Sequence, residues 1–524
     1  MDREDVGSLK LVAWITVGLF VFFAVKFVYQ AIYNILFHPL SGVPGPRVAA
    51  ILSSYLSPAL FRGDRAQTLL ALHNTYGPVV RVGPNEVSIS DWRAYRQIYT
   101  NKASRKEESF YKAAKFIAHE NIFTMRNKAE HSARRKLQSQ PYSQTAVFEN
   151  ESLIASRATI LVDRAISGAE TSASGRTVDM YTLCGLFSLE VILQCAFNHD
   201  SGERADGDSL EYLHMMDASA KLLPINAAMP WILKLGIGAH LPGGLGQRYR
   251  GHARWAQMTD TFLADFQAND RAYDKSQRFL STPLLVNHDE FLGRRLSRSE
   301  ALEEAMGIAF AGSGTTSTTL FYLIYAMSRP EAEIKQELLR QEINAAAKNG
   351  KLGLKDIQGV PYLNAVIKET MRLYPTIIST LPRTLETSVT ISPSSSHSGL
   401  KTAVCLPAGT DVGMQNYVHH RDPSVFPDPH TFNPERWLSS DEAELKDMEA
   451  ALTPFSLGPR MCIGQNLAKA ELYLAVTEIF RRLKVRLNEA VMKPEDMIME
   501  DRFNIAPRGR KLVVDIEVIG SKLG

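Results

Sequence analysis

The stretch FSLGPRMCIG, Phe455 to Gly464, sets Cys462 between two glycines and beside an arginine, directly ahead of a helical pattern at 465–482. The free N–H groups and positive end of a following helix stabilise a thiolate, and a thiolate is a metal ligand. Gly458 and Gly464 permit a tight loop and close approach of backbone to a flat group. Arg460 can pair with a carboxylate, and Phe455 can shield the sulfur from water. Taken alone, a cysteine in such a loop is more often a small buried hydrophobe. The other three, Cys184, Cys195 and Cys405, show no CxxC or zinc-ligand spacing. They make no disulfide scaffold, and a reduced, cytosol-facing compartment is expected.

Further candidates lie upstream. In KETMRLYP, Glu369 and Arg372 share one helix face at i,i+3; on a surface such a pair is a minor salt bridge. FNPERW adds Arg436, TLPR adds Arg383, and EHSARRKLQSQPYS carries His131 and Arg135 on a basic helix face. AGSGTTS, residues 311–317, puts Gly312, Thr315 and Thr316 within a long helical pattern. A helix threonine commonly bonds back to the carbonyl four residues earlier.

Phe455-x-x-Gly458-x-Arg460-x-Cys462-x-Gly464 resembles the signature of the cytochrome P-450 haem-thiolate monooxygenases. The other motifs follow in that family's order over residues 34–515. The resemblance implies that Cys462 is the axial ligand to the iron of haem b, where a thiolate pushes electron density toward O–O cleavage. It implies that Phe455, Gly458, Arg460 and Gly464 build the cofactor's seat, and that His131, Arg135 and Arg383 reach its propionates. Glu369, Arg372 and Arg436 would be a buried structural triad. Thr315, with Thr316 beside it, would deliver protons to bound dioxygen, and Gly312 would loosen the helix there. One departure stands out: the family's usual acid before the threonine is Gly314 here. That leaves Ser313, Thr316, water or a substrate hydroxyl to complete the proton route.

These residues need a scaffold. The chain has 524 residues, 45% hydrophobic and 22% charged, enough for a large core. Its 59 basic and 56 acidic residues nearly balance, so nucleic-acid binding is not expected. Leu9–Tyr33 is apolar enough to span a bilayer. The acidic start MDRED argues against a cleaved signal, and Lys26, Arg47, Arg62 and Arg65 on its far side place the body in the cytosol. The sequon at Asn150 would then stay unglycosylated. HPLSGVPGPR reads as a stiff connector. A β-hairpin is expected over 75–92, and helices at 125–140, 144–168, 177–197, 208–222, 252–269, 299–327, 331–348, 361–373 and 465–482. Short strands around the Ser-rich SPSSSHSG fall within 379–412.

The expected fold class is mainly α with a minor β portion: anchor 1–33, hinge 34–50, and a single P-450-type haem domain over 51–524. Residues 105–124 and the apolar 220–245 (with Pro230 and Trp231) would cover the cavity, and Thr376–Leu381 would line it. The implied activity is insertion of one oxygen atom of O2 into a lipophilic molecule at the endoplasmic reticulum membrane. Electrons would come from NADPH through cytochrome P-450 reductase, with cytochrome b5 as a second donor and Lys128–Lys136 and Lys469 as a docking face. HPLSGVPGPR, FNPERWL and FSLGPRMCIGQNLAKAEL look most like fungal members, many of which tailor terpenoids, polyketides or alkaloids. A haem-thiolate isomerase or dehydratase, or a membrane-tethered haem or lipid binder, are the alternatives.

Overall fold

The structure, a computed structural model, describes residues 3–100, 103–202, 207–269, 278–347, 352–393 and 402–520. The first helix runs Arg3–Leu36, three residues past the expected anchor. Its Ala13–Leu36 portion holds an 18-residue stretch of mean hydropathy 1.9 with no buried residue, with Trp14, Phe20 and Tyr29 among the exposed side chains, while Asn34 near its end is buried. It is a candidate transmembrane span. Met180–Phe197 is somewhat less apolar, at mean hydropathy 1.6, but 78% buried, and belongs to the core.

The connector after the anchor is tied down. Arg81, from the first strand, donates to the carbonyls of Asn34 (2.7 Å) and Pro84 (2.6 Å), while its own N–H donates to Pro44 O at 2.7 Å. A Cβ on Gly45 would lie 2.3 Å from Arg81 O, so only glycine admits this approach. The connector ends in a short helix at Arg47–Ile51.

The body is built on the helix Arg298–Ser328, started by a capping box in which Ser297 and Glu300 satisfy each other's backbone N–H. It packs along Met180–Phe197, with Gln465–Arg482 and Glu151–Glu170 nearby, around one large apolar core. The expected hairpin forms from Val79–Gly83 and Glu86–Ile89. Asp411–Gly413, Arg383–Leu385 and Ser104–Lys106 extend it to five strands.

Helix patterns at 361–373 and 465–482 match Pro361–Leu373 and Gln465–Arg482. Elsewhere the boundaries move for local reasons. The pattern 144–168 splits at Asn150, whose side chain bonds Ala146 O. The pattern from 177 opens instead with a strand, Thr177–Asp179, before Asp179 caps the helix. The helix expected at 252 starts at Gly243, its glycines having hidden it. The helix expected to 348 is described as far as Ala346. The tip of the Ser-rich loop, 394–401, lies outside the described residues. A C-terminal sheet, Leu483–Leu487, Val513–Val518 and Thr177–Asp179, and a hairpin, Met499–Arg502 with Asn504–Pro507, were not expected.

One buried knot joins helix Pro361–Leu373 to the segment leading toward Cys462. Glu369 accepts two bonds from Arg372 (2.8 and 2.9 Å), one from Arg436 (3.2 Å), one from Trp437 (3.0 Å) and one from the N–H of Asn433 (2.9 Å). Glu369 and Arg372 are fully buried. Removing the carboxylate strands two cations without water. Glu369→Ala is therefore expected to lower the unfolding free energy by about 3–5 kcal/mol, read from urea melting of the intact protein. A loss below about 1 kcal/mol would contradict the knot's role.

Candidate active site

A large, mostly apolar cavity lies beside the long helix and is lined at one end by Phe455, Cys462 and Gly464, and elsewhere by Ala311, Gly312 and Thr315. The cysteine loop is set by backbone conformation. Gly458 has φ +75°, and a Cβ there would sit 3.1 Å from Thr100 Cα and from Tyr99 O. The N–H of Cys462 donates to Phe455 O at 2.9 Å, closing the loop. Gly464 differs: a Cβ there would meet only the Tyr142 ring, at 3.8 Å. Its lack of a side chain keeps cavity space open. Burial raises the Cys462 thiol, while the Gly464 N–H and the Arg135 charge act against that rise. The accessible surface of the side chain faces the cavity's interior.

Next to this loop, Lys106, His131, Arg135, Arg383 and Arg460 converge. Arg460 donates to Met125 O (2.8 Å) and Arg126 O (3.3 Å), and Arg135 to Met461 O (2.7 Å). Arg383 bonds the Tyr111 hydroxyl at 2.7 Å and lies over the Tyr99 ring. Among the described residues, none of these four arginine and lysine side chains has a carboxylate within ion-pair distance. The electrostatics show the excess. Burial first, then Arg460, Lys106, Arg135 and Arg383, depress His131 to about 2. Burial and Arg383 bring Arg460 down to about 10. Lys106, nearly all buried, is pushed well below the ordinary lysine range by burial and the same arginines.

On the long helix, the Thr315 hydroxyl donates to Ala311 O at 2.7 Å. Thr319 and Thr376 join it: their hydroxyls lie 2.9 Å apart, and both reach Thr315 O, at 3.1 and 3.3 Å. Thr316 is buried and lines the cavity. Ser313 is turned away, fully buried and bonded back to Ala309 O, which removes it from the expected proton route. Gly312 also departs from expectation. The helix stays regular through it; instead Ile192 fills the space where a Cβ would stand, 2.5 Å away. Its measurable effect is close helix packing.

The cytochrome P-450 family profile matches residues 43–514. The chain belongs to the cytochrome P-450 family. It is 28% identical to a cytochrome P-450 monooxygenase of Aspergillus niger, over 92% of this chain and 94% of that one. It is also 28% identical to an N-acetyltryptophan 6-hydroxylase of Emericella nidulans (94% and 95%) and to a monooxygenase of Dothistroma septosporum (97% and 96%). This P-450 is accordingly a monooxygenase.

The family's cofactor is a haem held by thiolate, and the residues here fit one. A largely buried cluster of cations with no ion-paired carboxylate among the described residues calls for an anion, and haem brings two propionates. The thiol and the open space at Gly464 lie in the same cavity. Sequence reasoning missed Lys106, because RKEES reads as an ordinary surface charge run.

It also missed what this P-450 does with Glu303 and Glu304. Glu303 accepts the backbone N–H groups of Phe116 (2.7 Å), Ile117 (2.7 Å) and Ala118 (3.2 Å), and the Asn121 amide at 2.9 Å. Glu304 accepts the N–H of Ile122 at 3.0 Å and an ion pair from Arg134 at 2.5 Å. The loop over the cavity is thus pinned to the long helix. Arg134 is therefore interior, and Lys128 and Lys136 are paired with Glu386 and Glu290. Lys469 lies over the Phe455 ring. The expected basic docking face is weaker than its sequence.

Gly312→Ala should cost about 1–3 kcal/mol by overpacking, and Ile192→Ala should relieve most of that cost. A double variant no more stable than the sum of its parts, in thermal melts of the holoenzyme, would count against the Ile192 contact.

Proposed function

We propose that the protein is a membrane-anchored monooxygenase inserting one atom of O2 into a lipophilic fungal secondary metabolite, fed with NADPH-derived electrons by cytochrome P-450 reductase. The observation carrying this reading is that Cys462, Thr315 and Arg460, the one member of the cation cluster on the cavity wall, all border one largely apolar cavity. Cys462 would hold the haem iron. Arg135, Arg383, Arg460, His131 and Lys106 would hold the propionates, with Phe455, Gly458 and Gly464 shaping the seat. When bound, haem supplies the activation of dioxygen.

The chain's own residues would do the rest. Thr315 commits its proton to Ala311 O, so its oxygen lone pairs are left to accept a bond from water or a protonated group in the cavity. Gly314 supplies no proton, and Thr316, Thr319 and Thr376, which line the same cavity, offer hydroxyls that could order water toward Thr315. The pinned loop 116–122 and the apolar wall exclude bulk water, which strengthens each of these bonds. The segment 223–240 forms short helices whose Trp231, Leu233 and Leu235 are exposed. With the apolar first helix, this suits entry of substrate from a bilayer, the body lying on the cytosolic face of the endoplasmic reticulum. The domain boundaries that go with this reading are anchor 1–33, hinge 34–50 and catalytic body 51–524. Glu369, Arg372 and Arg436 would act structurally.

The haem assignment is tested by the reduced, CO-bound spectrum. Wild type should give the thiolate-type band and Cys462→Ala should lose it; an unchanged band in the variant refutes the ligand. Thr315→Val should keep that band but form about tenfold less product per NADPH consumed, a partition change near 1.4 kcal/mol. Turnover that needs neither NADPH nor reductase would instead identify a redox-neutral isomerase or dehydratase.

A further inference from the structure

One wall of the cavity is a continuous run of aromatic rings. Phe116 and Phe123 come from the loop pinned by Glu303 and Glu304, Phe310 from the long helix, and Phe503 from the tip of the C-terminal hairpin. All four line the cavity. Their ring centroids follow one another: Phe123 to Phe503 at 5.3 Å, Phe503 to Phe310 at 6.4 Å, and Phe310 to Phe116 at 5.6 Å. Trp255 backs Phe116 edge-on at 5.3 Å. Three separate segments supply the run, so tertiary structure assembles it.

Phe503 shows that the arrangement is maintained against local preference. Its φ is +82°, a region where a bulky side chain is strained and glycine is not. The strain is held by Asp501, which is buried: its Oδ1 accepts the Phe503 N–H at 3.3 Å and the Ser379 hydroxyl. Its backbone N–H donates to Gly63 O at 2.7 Å. A hairpin tip that had only to turn would be relaxed by glycine. Here a ring is kept, facing the cavity.

The lid end of the same cavity carries one fixed polar donor. Asn226 is buried and lines the cavity, and its Oδ1 accepts the Tyr249 hydroxyl at 2.7 Å. That bond orients the carboxamide and leaves its two N–H groups without a protein acceptor among the described residues. The neighbouring His252 is different, with both ring nitrogens engaged by Ser219 and Phe116 O. Lys115 has Glu120 at 3.7 Å.

We propose that the substrate is a flat, conjugated ring system whose face packs on the Phe123–Phe503–Phe310–Phe116 run, and which carries a carbonyl-type acceptor that receives the Asn226 amide. This deepens the monooxygenase reading and rests on that reading's assignment of the cavity. Aromatic contacts add to simple apolar burial because ring edges and faces carry opposite partial charge. A saturated molecule of the same size gains burial alone.

Three matched probes separate the contributions: 2-acetylnaphthalene, 2-acetyldecalin and 2-ethylnaphthalene, with affinities from equilibrium dialysis against the holoenzyme. Saturating the rings should weaken binding about tenfold in wild type, the size expected of two ring contacts, and less than about twofold in Phe310→Leu/Phe503→Leu. Removing the carbonyl should weaken wild type about fivefold and leave Asn226→Leu unchanged. If the double variant loses its haem, Phe503→Gly, which relaxes the backbone, takes its place. Equal wild-type affinity for acetylnaphthalene and acetyldecalin overturns the proposal, as does a ring preference that survives in the variants. Failure of the monooxygenase reading would look different: no thiolate-type CO band or no NADPH-dependent product, with the ring preference still present.

Discussion

Uncompensated positive charge governs the architecture of the site. Lys106, His131, Arg135, Arg383 and Arg460 are drawn from a strand, a helix, a second strand and the cysteine loop. Among the described residues no carboxylate forms an ion pair with these arginines and the lysine, and Glu120, Glu130 and Glu304 offset their repulsion only in part, from a distance. They hold their places by donating to carbonyl oxygens and by lying over Tyr99, Tyr111 and Phe123. Such contacts are weaker than ion pairs, so the arrangement gains most when an anion enters. The scaffold thereby presents a cluster of cations suited to an anionic group.

Negative charge is used in the opposite way. Glu303, Glu304 and Glu369 are buried, and each is saturated by donors from distant parts of the chain. Glu303 and Glu304 connect the long helix to the loop above the cavity. Glu369 connects another helix to the segment before the cysteine loop. A carboxylate accepts several bonds at once, so one side chain can define the position of a whole backbone stretch. The result is a cavity whose roof and floor are both referenced to helices.

Much of this could be read from residue order. Cys462 and its flanking glycines, the Glu369–Arg372 spacing and Arg436 announced themselves, because their chemistry depends on short local spacing. The hairpin and the helices at 361–373 and 465–482 did so through clean periodicity and a proline start. What stayed hidden depended on contacts across the fold. Lys106 and Glu303 were not singled out, since nothing local marks a charge as buried. Phe503 sat in an unremarkable DRFN, its φ being visible only in the folded hairpin. Gly312 was read through its own helix, although the residue that explains it, Ile192, belongs to another.

Arg81 deserves a mechanical reading. By holding the carbonyl of Asn34 at the end of the first helix and backing onto Gly45, it welds that helix to the five-stranded sheet. An anchor on a slack tether would let the body tumble and present any face to its surroundings. Here the helix acts as a shaft and the sheet as its flange, so the depth and tilt of one dictate those of the other. The orientation of the body relative to the first helix is therefore set by contacts among Asn34, Gly45 and Arg81, all upstream of Tyr95, the first residue that lines the cavity.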